Sequence, residues 1–448
     1  MKLKTVYLCS SCQAQVSRWS GQCSSCQAWN TLVEEVVNVG KADKNLKITL
    51  NSPKPVHLTE MMEEEVRLKT EIGELDRVLG GGFVEDSLTL LTGAPGIGKS
   101  TLTLQICRAM AQLGRKVLYV SGEESVGQIS SRAKRLKISE SLAVVNLNHL
   151  ESIVAVIQKS HPQFIVIDSV QVMASEELGS QAGSISQVRY VAEELMKVAK
   201  GNAIPVLLIG HVNKEGQLAG PQVLTHLVDA VLYLEGDSTS QFRLLRSTKN
   251  RFGTVDEVGV FTMEESGLQE VKNPSALFLE GRSETPIGSA IVPVLEGTRI
   301  FLVEVQALTS HTNFGYPKRT ASGFDLNRLN IILAVLSRYA KMNLDSSDVY
   351  VNVVGGLKLK EPAADLAVAL AIVSSKLKKP LPGDLVAMGE MGLSGEIRSV
   401  SFAERRLKEI EKLGFKQVAI PTVKKKQALN LNFVEDRLVN GILGKIFN

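Results

Sequence analysis

No run of apolar residues in this 448-residue chain approaches the ~18 that cross a bilayer, which excludes a helical membrane protein. The opening residues, MKLKTVYLCSSC, contain lysines but neither a long apolar segment nor a small-residue cleavage site, so a cytoplasmic protein is expected. There is little net charge: 51 Lys and Arg against 47 Asp and Glu leave +4, too few to identify an anionic partner. Any nucleic-acid role therefore has to be argued from local sites. Low-complexity tracts and repeats of fixed period are also missing. Cysteine is scarce, five in all, and beyond Cys26 only Cys107 remains. It lies on the apolar helical pattern TLTLQICRAM and reads as a small buried hydrophobe.

What is present is a soluble globular composition, 44% hydrophobic and 22% charged, which supports sizeable cores. At roughly 150 residues per domain, about three domains are expected. The pattern divides the chain at two joints. Residues 1–35 are short, cysteine-rich and turn-rich, and 36–57 are a polar linker. Over 58–271 apolar strand-like runs (SLTLLTG, KVLYVSG, LAVVNL, FIVIDSV, PVLLIGHV) alternate with amphipathic stretches, of which KSTLTLQICRAMAQLG is the clearest helix. Continuous apolar strands separated by helices predict an α/β fold, a parallel sheet covered on both faces. Residues 272–448 form a separate α+β domain, with strands such as RIFLVEVQAL and DVYVNVVGG and helices RLNIILAVLSRYAKM and PAADLAVALAIVSSKL.

Cys9, Cys12, Cys23 and Cys26 make two CxxC pairs separated by ten residues. Each pair can set two thiolates on one tight turn, and two such turns complete a tetrahedral zinc (Zn2+) shell with no open position for water. Trp19, Gly21 and Trp29 flank the second knuckle and are expected to lend it apolar support. The alternatives are a disulfide pair or a thiol redox motif. A reducing compartment disfavours the first, and the second needs only one pair.

GAPGIGKS, the residues Gly93, Ala94, Pro95, Gly96, Ile97, Gly98, Lys99 and Ser100, fits GxxxxGK[ST] between a strand and a helix, with Thr101 next in line. Backbone N–H groups of such a loop cradle the phosphates of ATP, Lys99 would reach the β- and γ-phosphates, and the Ser100 hydroxyl would ligate magnesium (Mg2+). Asp168 ends the buried strand FIVID, where a lone carboxylate is costly without a cation; magnesium ligation is the reading, capping of the next element the alternative. In YVSGEES, Glu123 or Glu124 can orient the attacking water. Glu123 is preferred because it is nearer the strand end, with Glu124 in reserve; otherwise both are acids at a helix start. LLRSTKNRFGTVDEVGV reads as two strands around a turn, with Lys249, Asn250, Arg251 and Phe252 on an exposed tip before Gly253. Gly253 alone suits the positive φ that hairpin turns use.

These residues carry a resemblance. The ATPase core resembles the RecA/DnaB class, in which a glutamate follows the second core strand. The full chain resembles the RadA (Sms) family of bacterial DNA-repair proteins, through the four-cysteine knuckle with RWSGQCSSCQAWN, the P-loop GAPGIGKS, the KNRFG stretch and a Lon-protease-like tail. The resemblance implies a homo-hexameric, DNA-dependent ATPase that translocates on single-stranded DNA, promotes branch migration of recombination intermediates and acts with the recombinase RecA. It implies that the loops Met173–Gln187 and Asn213–Gln222 face DNA and move with nucleotide state, that His211 senses the γ-phosphate, and that Lys249 and Arg251 reach the γ-phosphate of a neighbouring subunit. A phosphate-backbone contact to DNA is the other use of that tip.

The tail resembles the proteolytic domain of Lon, but Ala363 stands where the nucleophilic serine would be and Glu404 where the lysine base would be. Ser374 and Ser375 lie off the motif. Lys376, Lys378 and Lys379, with Lys424 to Lys426, are basic clusters that can track phosphates or simply face solvent. An ATP-dependent protease and a non-DNA regulatory RecA-like ATPase are the competing functions. With both dyad members missing, an active-site serine probe is expected to leave the chain unlabelled. Degradation of an unfolded substrate that a Ser374 or Ser375 substitution abolishes would contradict this.

Overall fold

The computed structural model describes residues 3–10, 12, 14–38, 66–211, 223–236, 241–282, 287–312, 316–422 and 429–447. The expected linker from residue 39 onward, the loop Asn213–Gln222 and Lys424 to Lys426 lie outside them. The chain divides into two compact units, Met1–Glu270 and Val271–Asn448.

At the amino end, Leu3–Cys9 pairs antiparallel with Gln15–Val16 and with Leu32–Asn38. The last strand runs past Glu35, where the sequence pattern ended the module. Cys9, Cys23 and Leu32 form its small core, with Tyr7, Ala14 and Val16 against them. The tryptophans support the knuckle only from outside: Trp19 is 60% and Trp29 70% exposed, and the Trp29 ring lies over Gly21, where a Cβ would meet it at 3.6 Å. A module this small cannot enclose an indole, so a metal has to do what a core does elsewhere.

Among the described residues the main sheet of the first unit has nine strands, in the order Gly267–Glu270, Val258–Glu264, Phe242–Asn250, Ala230–Glu235, Leu88–Gly93, Val206–Ile209, Phe164–Asp168, Val117–Ser121, Ala143–Asn146. All five strands read from the sequence are present. The six from Ala230–Glu235 onward run parallel, and the first three are added antiparallel. Alternate residues feed two cores. Leu91, Val166, Ile209 and Tyr119 face the helix Lys99–Gln112, while Leu90, Ile167, Leu208 and Val120 face the helices Leu150–Ser160 and Ile185–Asn202. Burial on both faces is what made these strands read as unbroken apolar runs.

The helix Lys99–Gln112 shows how the sequence fixes an element. Leu102, Ile106 and Met110 recur every four residues and are buried, each contributing roughly 1.5–3 kcal/mol relative to exposure. The helix stops because Gly114 turns left-handed, φ 77°, and its N–H donates back to the carbonyl of Ala111.

The second unit is built on a seven-stranded sheet, in the order Arg319–Ser322, Ser347–Val353, Arg299–His311, Ser289–Glu296, Leu385–Ala387, Gln417–Pro421, Asn432–Asp436. The helix Asp365–Leu377 is buried at every position from Asp365 to Ser375. Its charged first residue is tolerated because Arg328 grips the carboxylate, Nε at 2.9 Å, and the Met391 N–H donates to it at 2.9 Å. Burial pushes the Asp365 carboxyl up, and the Arg328 hydrogen bonds act against that.

Ala363 is buried in the short turn Pro362–Ala364 before this helix, and Glu404 sits in the exposed first turn of the helix Ala403–Lys412. Beside them lies an ion pair the sequence did not announce. Arg406, fully buried, donates through Nη1 to Glu361 Oε1 at 2.9 Å and through Nη2 to Oε2 at 2.5 Å, and through Nε to the carbonyl of Ser401 at 3.0 Å. Ser374 and Ser375 are cross-links: Ser374 Oγ accepts from the Gly288 N–H and donates to the Lys379 carbonyl, and Ser375 Oγ accepts from the Thr309 N–H. Within the SKLKKP cluster, Lys376 donates to Ser347 Oγ at 2.7 Å and Lys379 to the Phe447 carbonyl at 2.7 Å, so two of these three ammonium groups are already engaged. Removing one partner of a buried, hydrogen-bonded ion pair leaves an uncompensated charge. Arg406→Ala should therefore destabilise this domain by about 3 kcal/mol; an unchanged denaturation midpoint in the full-length chain would contradict it.

Candidate nucleotide and metal sites

The four knuckle cysteines converge. Their Sγ atoms all lie within 4.8 Å of one another, with Cys9 to Cys26 and Cys12 to Cys23 each at 3.6 Å. No disulfide joins any of the four, since that bond requires about 2.05 Å between sulfurs. Tetrahedral Zn–S bonds of ~2.3 Å give edges of about 3.8 Å, so the donor set fits zinc and closes its shell.

At the other site, four adjacent strands deliver their carboxyl ends to one edge of the sheet. In spatial order these are Leu88–Gly93 with the P-loop, Val206–Ile209 with His211 just beyond, Phe164–Asp168, and Val117–Ser121 leading to Glu123. In open α/β sheets this edge is where ligands bind. The P-loop glycines are there for room. A Cβ on Gly93 would come within 2.4 Å of the Leu234 carbonyl oxygen, and one on Gly98 within 2.5 Å of Met263 Cε. Ala94, Pro95 and Gly96 are exposed at the mouth, Ile97 is buried, and Ser100 and Thr101 begin the helix half-buried. Lys99 Nζ donates to the carbonyls of Gly93 at 2.8 Å and Ala94 at 3.1 Å. Burial lowers its pKa, against the pull of Asp168 and Glu123. Burial raises that of Asp168, whose Oδ2 accepts from Tyr119 Oη at 2.5 Å. A buried ammonium facing a buried carboxylate suits a ligand that brings both phosphate and a cation.

The two glutamates separate. Glu124 is held by Arg132 through two hydrogen bonds of 2.8 and 2.7 Å and belongs to the start of its own helix. Glu123 points the other way: Oε1 accepts from Ser169 Oγ at 2.5 Å and lies 3.5 Å from His211 Nε2.

Residues 52–217 match a family described as AAA domain, residues 7–34 a rubredoxin metal-binding domain, and residues 321–424 the ChlI subunit of Mg-chelatase. The chain is 48% identical to the DNA repair protein RadA of Bacillus subtilis, covering 94% of this chain and 93% of that one. It is also 48% identical to the DNA repair protein RadA of Rickettsia bellii, over 93% of each. The chain belongs to the RadA family of DNA repair proteins. A solved KaiC-like protein from Pyrococcus horikoshii, 21% identical, superposes with a TM-score of 0.40 over 46% of this chain and all of that one. The RadA-family architecture here is a four-cysteine zinc-binding module, a RecA-like ATPase core and a ChlI/Lon-like domain.

The KNRFG stretch departs from expectation in two ways. Lys249 is not on an exposed tip. It ends the strand Phe242–Asn250, and Nζ donates to the carbonyls of Thr225 at 2.8 Å, His226 at 3.1 Å and Val228 at 2.7 Å, closing the end of the helix Val223–Leu227. Burial, then the charge of Arg251, lowers its pKa. Gly253 does not have positive φ; it sits close against the Asn250 amide, where a Cβ would come within 3.1 Å of Nδ2. Asn250 Nδ2 donates to the Leu79 carbonyl at 3.2 Å, and Arg67 Nη2 to the Phe252 carbonyl at 2.6 Å, fixing the turn against the helix Gly73–Leu79. Arg251 is the cation presented, 51% exposed and 2.8 Å from the buried Asp229 Oδ1. Asp229 Oδ2 in turn accepts from the Leu88 N–H, at the start of the P-loop strand. Arg251 is therefore at the opposite sheet edge from the P-loop, five residue steps or roughly 17 Å away.

Met173–Gln187 is braced by its own hydrogen bonds. Gln187 is buried and holds Ser175, Leu178 and Ser180 by their backbones, and Glu151 Oε1 accepts from Ser175 Oγ. Tyr119, Ser169, Asp229 and Arg243 were missed by sequence reasoning. Arg243 Nε donates to the Ile97 carbonyl at 3.1 Å, bracing the P-loop from the added antiparallel strand. A lone arginine inside an apolar strand, and a tyrosine whose hydroxyl needs a partner when buried, were the available clues. No knuckle cysteine belongs to the nucleotide site, so Cys9→Ala should release zinc while ATP binding survives. Metal analysis and nucleotide titration check this, and loss of ATP binding in a folded variant would contradict it.

Proposed function

We propose that this chain is a cytoplasmic, DNA-dependent ATPase of recombinational repair. It assembles as a homo-hexameric ring, translocates on single-stranded DNA and promotes branch migration of recombination intermediates alongside the recombinase RecA. The names of its RadA relatives support the repair role. The observation that carries the assembly is the placement of Arg251: half-exposed, anchored at the base of the P-loop strand, and roughly 17 Å from its own phosphate cradle. An arginine so placed suits a site on another subunit, where its fixed charge and planar donors match phosphate oxygens in the transition state.

Within one subunit the roles follow the strand ends. The backbone from Gly93 to Thr101 receives the phosphates, and Lys99 exchanges its two loop carbonyls for phosphate oxygens. Ser100 and Asp168 would hold magnesium, which supplies charge neutralisation when bound. Glu123 orients the attacking water, and His211, beside it, senses the γ-phosphate. Lys249 serves by fixing the helix Val223–Leu227, which follows the second proposed DNA loop, rather than by reaching phosphate itself. The protease alternative has neither nucleophile nor base at Ala363 and Glu404. The regulatory alternative parts from this one on DNA: hydrolysis that single-stranded DNA never stimulates would exclude the repair reading.

Arg251→Ala should retain ATP binding and lose DNA-stimulated hydrolysis. Mixing it with Lys99→Ala subunits should restore part of the turnover, because each Lys99→Ala subunit still presents Arg251 to an intact P-loop. No recovery in rings shown to be mixed would move the tip to a DNA-contacting role.

A further inference from the structure

Ser169 follows the proposed magnesium ligand, is fully buried, and has no part in the chemistry assigned so far. Its hydroxyl donates to Glu123 Oε1 at 2.5 Å, and His211 Nε2 stands 3.5 Å from the same oxygen. Among the described residues no group binds Oε2. The backbone is tied at the same point: the Gly122 N–H donates to the Asp168 carbonyl at 2.8 Å, and the Val172 N–H to the Ser169 carbonyl at 3.2 Å. The segment carrying Glu123 is thus pinned to the Asp168–Ser169 strand end by both main chain and side chain.

A glutamate that orients water has to present one oxygen in a fixed direction. Glu123 has three rotatable torsions and is 41% exposed, so packing does not supply that direction. We propose that Ser169 is a positioning residue for ATP hydrolysis: it clamps Oε1 of Glu123 and thereby turns Oε2 toward the attacking water. This rests on Glu123 being the water-orienting residue. A hydroxyl suits the task, being neutral beside the Asp168 carboxylate and short enough to allow one geometry. Its loss is structurally mild, since Glu123 can be solvated and no buried acceptor is orphaned.

The test is steady-state ATP hydrolysis by the full-length protein with single-stranded DNA present. Ser169→Ala should lower kcat by about 10- to 100-fold, the scale of a misplaced catalytic group, with the KM for ATP and nucleotide binding unchanged. Ser169→Cys, close in volume but a weak donor, should fall in the same direction and controls for repacking. In a Glu123→Gln background, Ser169→Ala should cost nothing further, because the residue acts only through Glu123. A wild-type kcat in Ser169→Ala, or a loss additive with Glu123→Gln, overturns the proposal while leaving Glu123 in place. Full turnover by Glu123→Gln alone would instead remove the reading of Glu123 on which the proposal stands.

Discussion

Pairing of the strand Leu88–Gly93 with Ala230–Glu235 on one side and Val206–Ile209 on the other fixes which groups share a sheet edge. At its carboxyl end the chain turns through Gly93 into the P-loop. At its amino end the Leu88 N–H holds Asp229, which holds Arg251. Strand length is set by residue rise, so the cradle and the arginine stand at opposite ends of one strand, roughly 17 Å apart.

Around the carboxyl edge the electrostatics are unbalanced in a useful direction. Lys99 and Asp168 are both deprived of water, and each has been given only a neutral partner: loop carbonyls for one, a tyrosine hydroxyl for the other. Such partners lessen the cost of burial without neutralising charge, so a polyphosphate with its cation finds a site already desolvated and oriented. Arg243 and Ile97 brace the loop from the antiparallel flank, linking the strand that carries the KNRFG residues to the loop itself.

The second domain keeps a ChlI/Lon-like framework with a different interior. Ala363 is buried, Glu404 is exposed, and beside them a half-buried Glu361 pairs with the fully buried Arg406. Such a pair fixes one arrangement of the turn before the central helix; it does not supply a nucleophile.

Much of this was legible in the chain itself. Spacing alone determined the zinc knuckles, since two CxxC pairs admit few other uses. The pattern GxxxxGKS between strand and helix determined the phosphate loop, and the apolar strand ending in Asp168 determined a buried carboxylate beside it. Only the tertiary structure decided the rest, because it depends on contacts between distant residues. It separated Glu123 from Glu124 by giving them different partners, Ser169 in one case and Arg132 in the other. It moved Lys249 off the tip by placing three carbonyls around its amine, and it put Trp19 and Trp29 outside a module too small to hold them. Local periodicity records which side of a strand is buried; which charge faces which, across a sheet nine strands wide, is set by the order in which the strands pair.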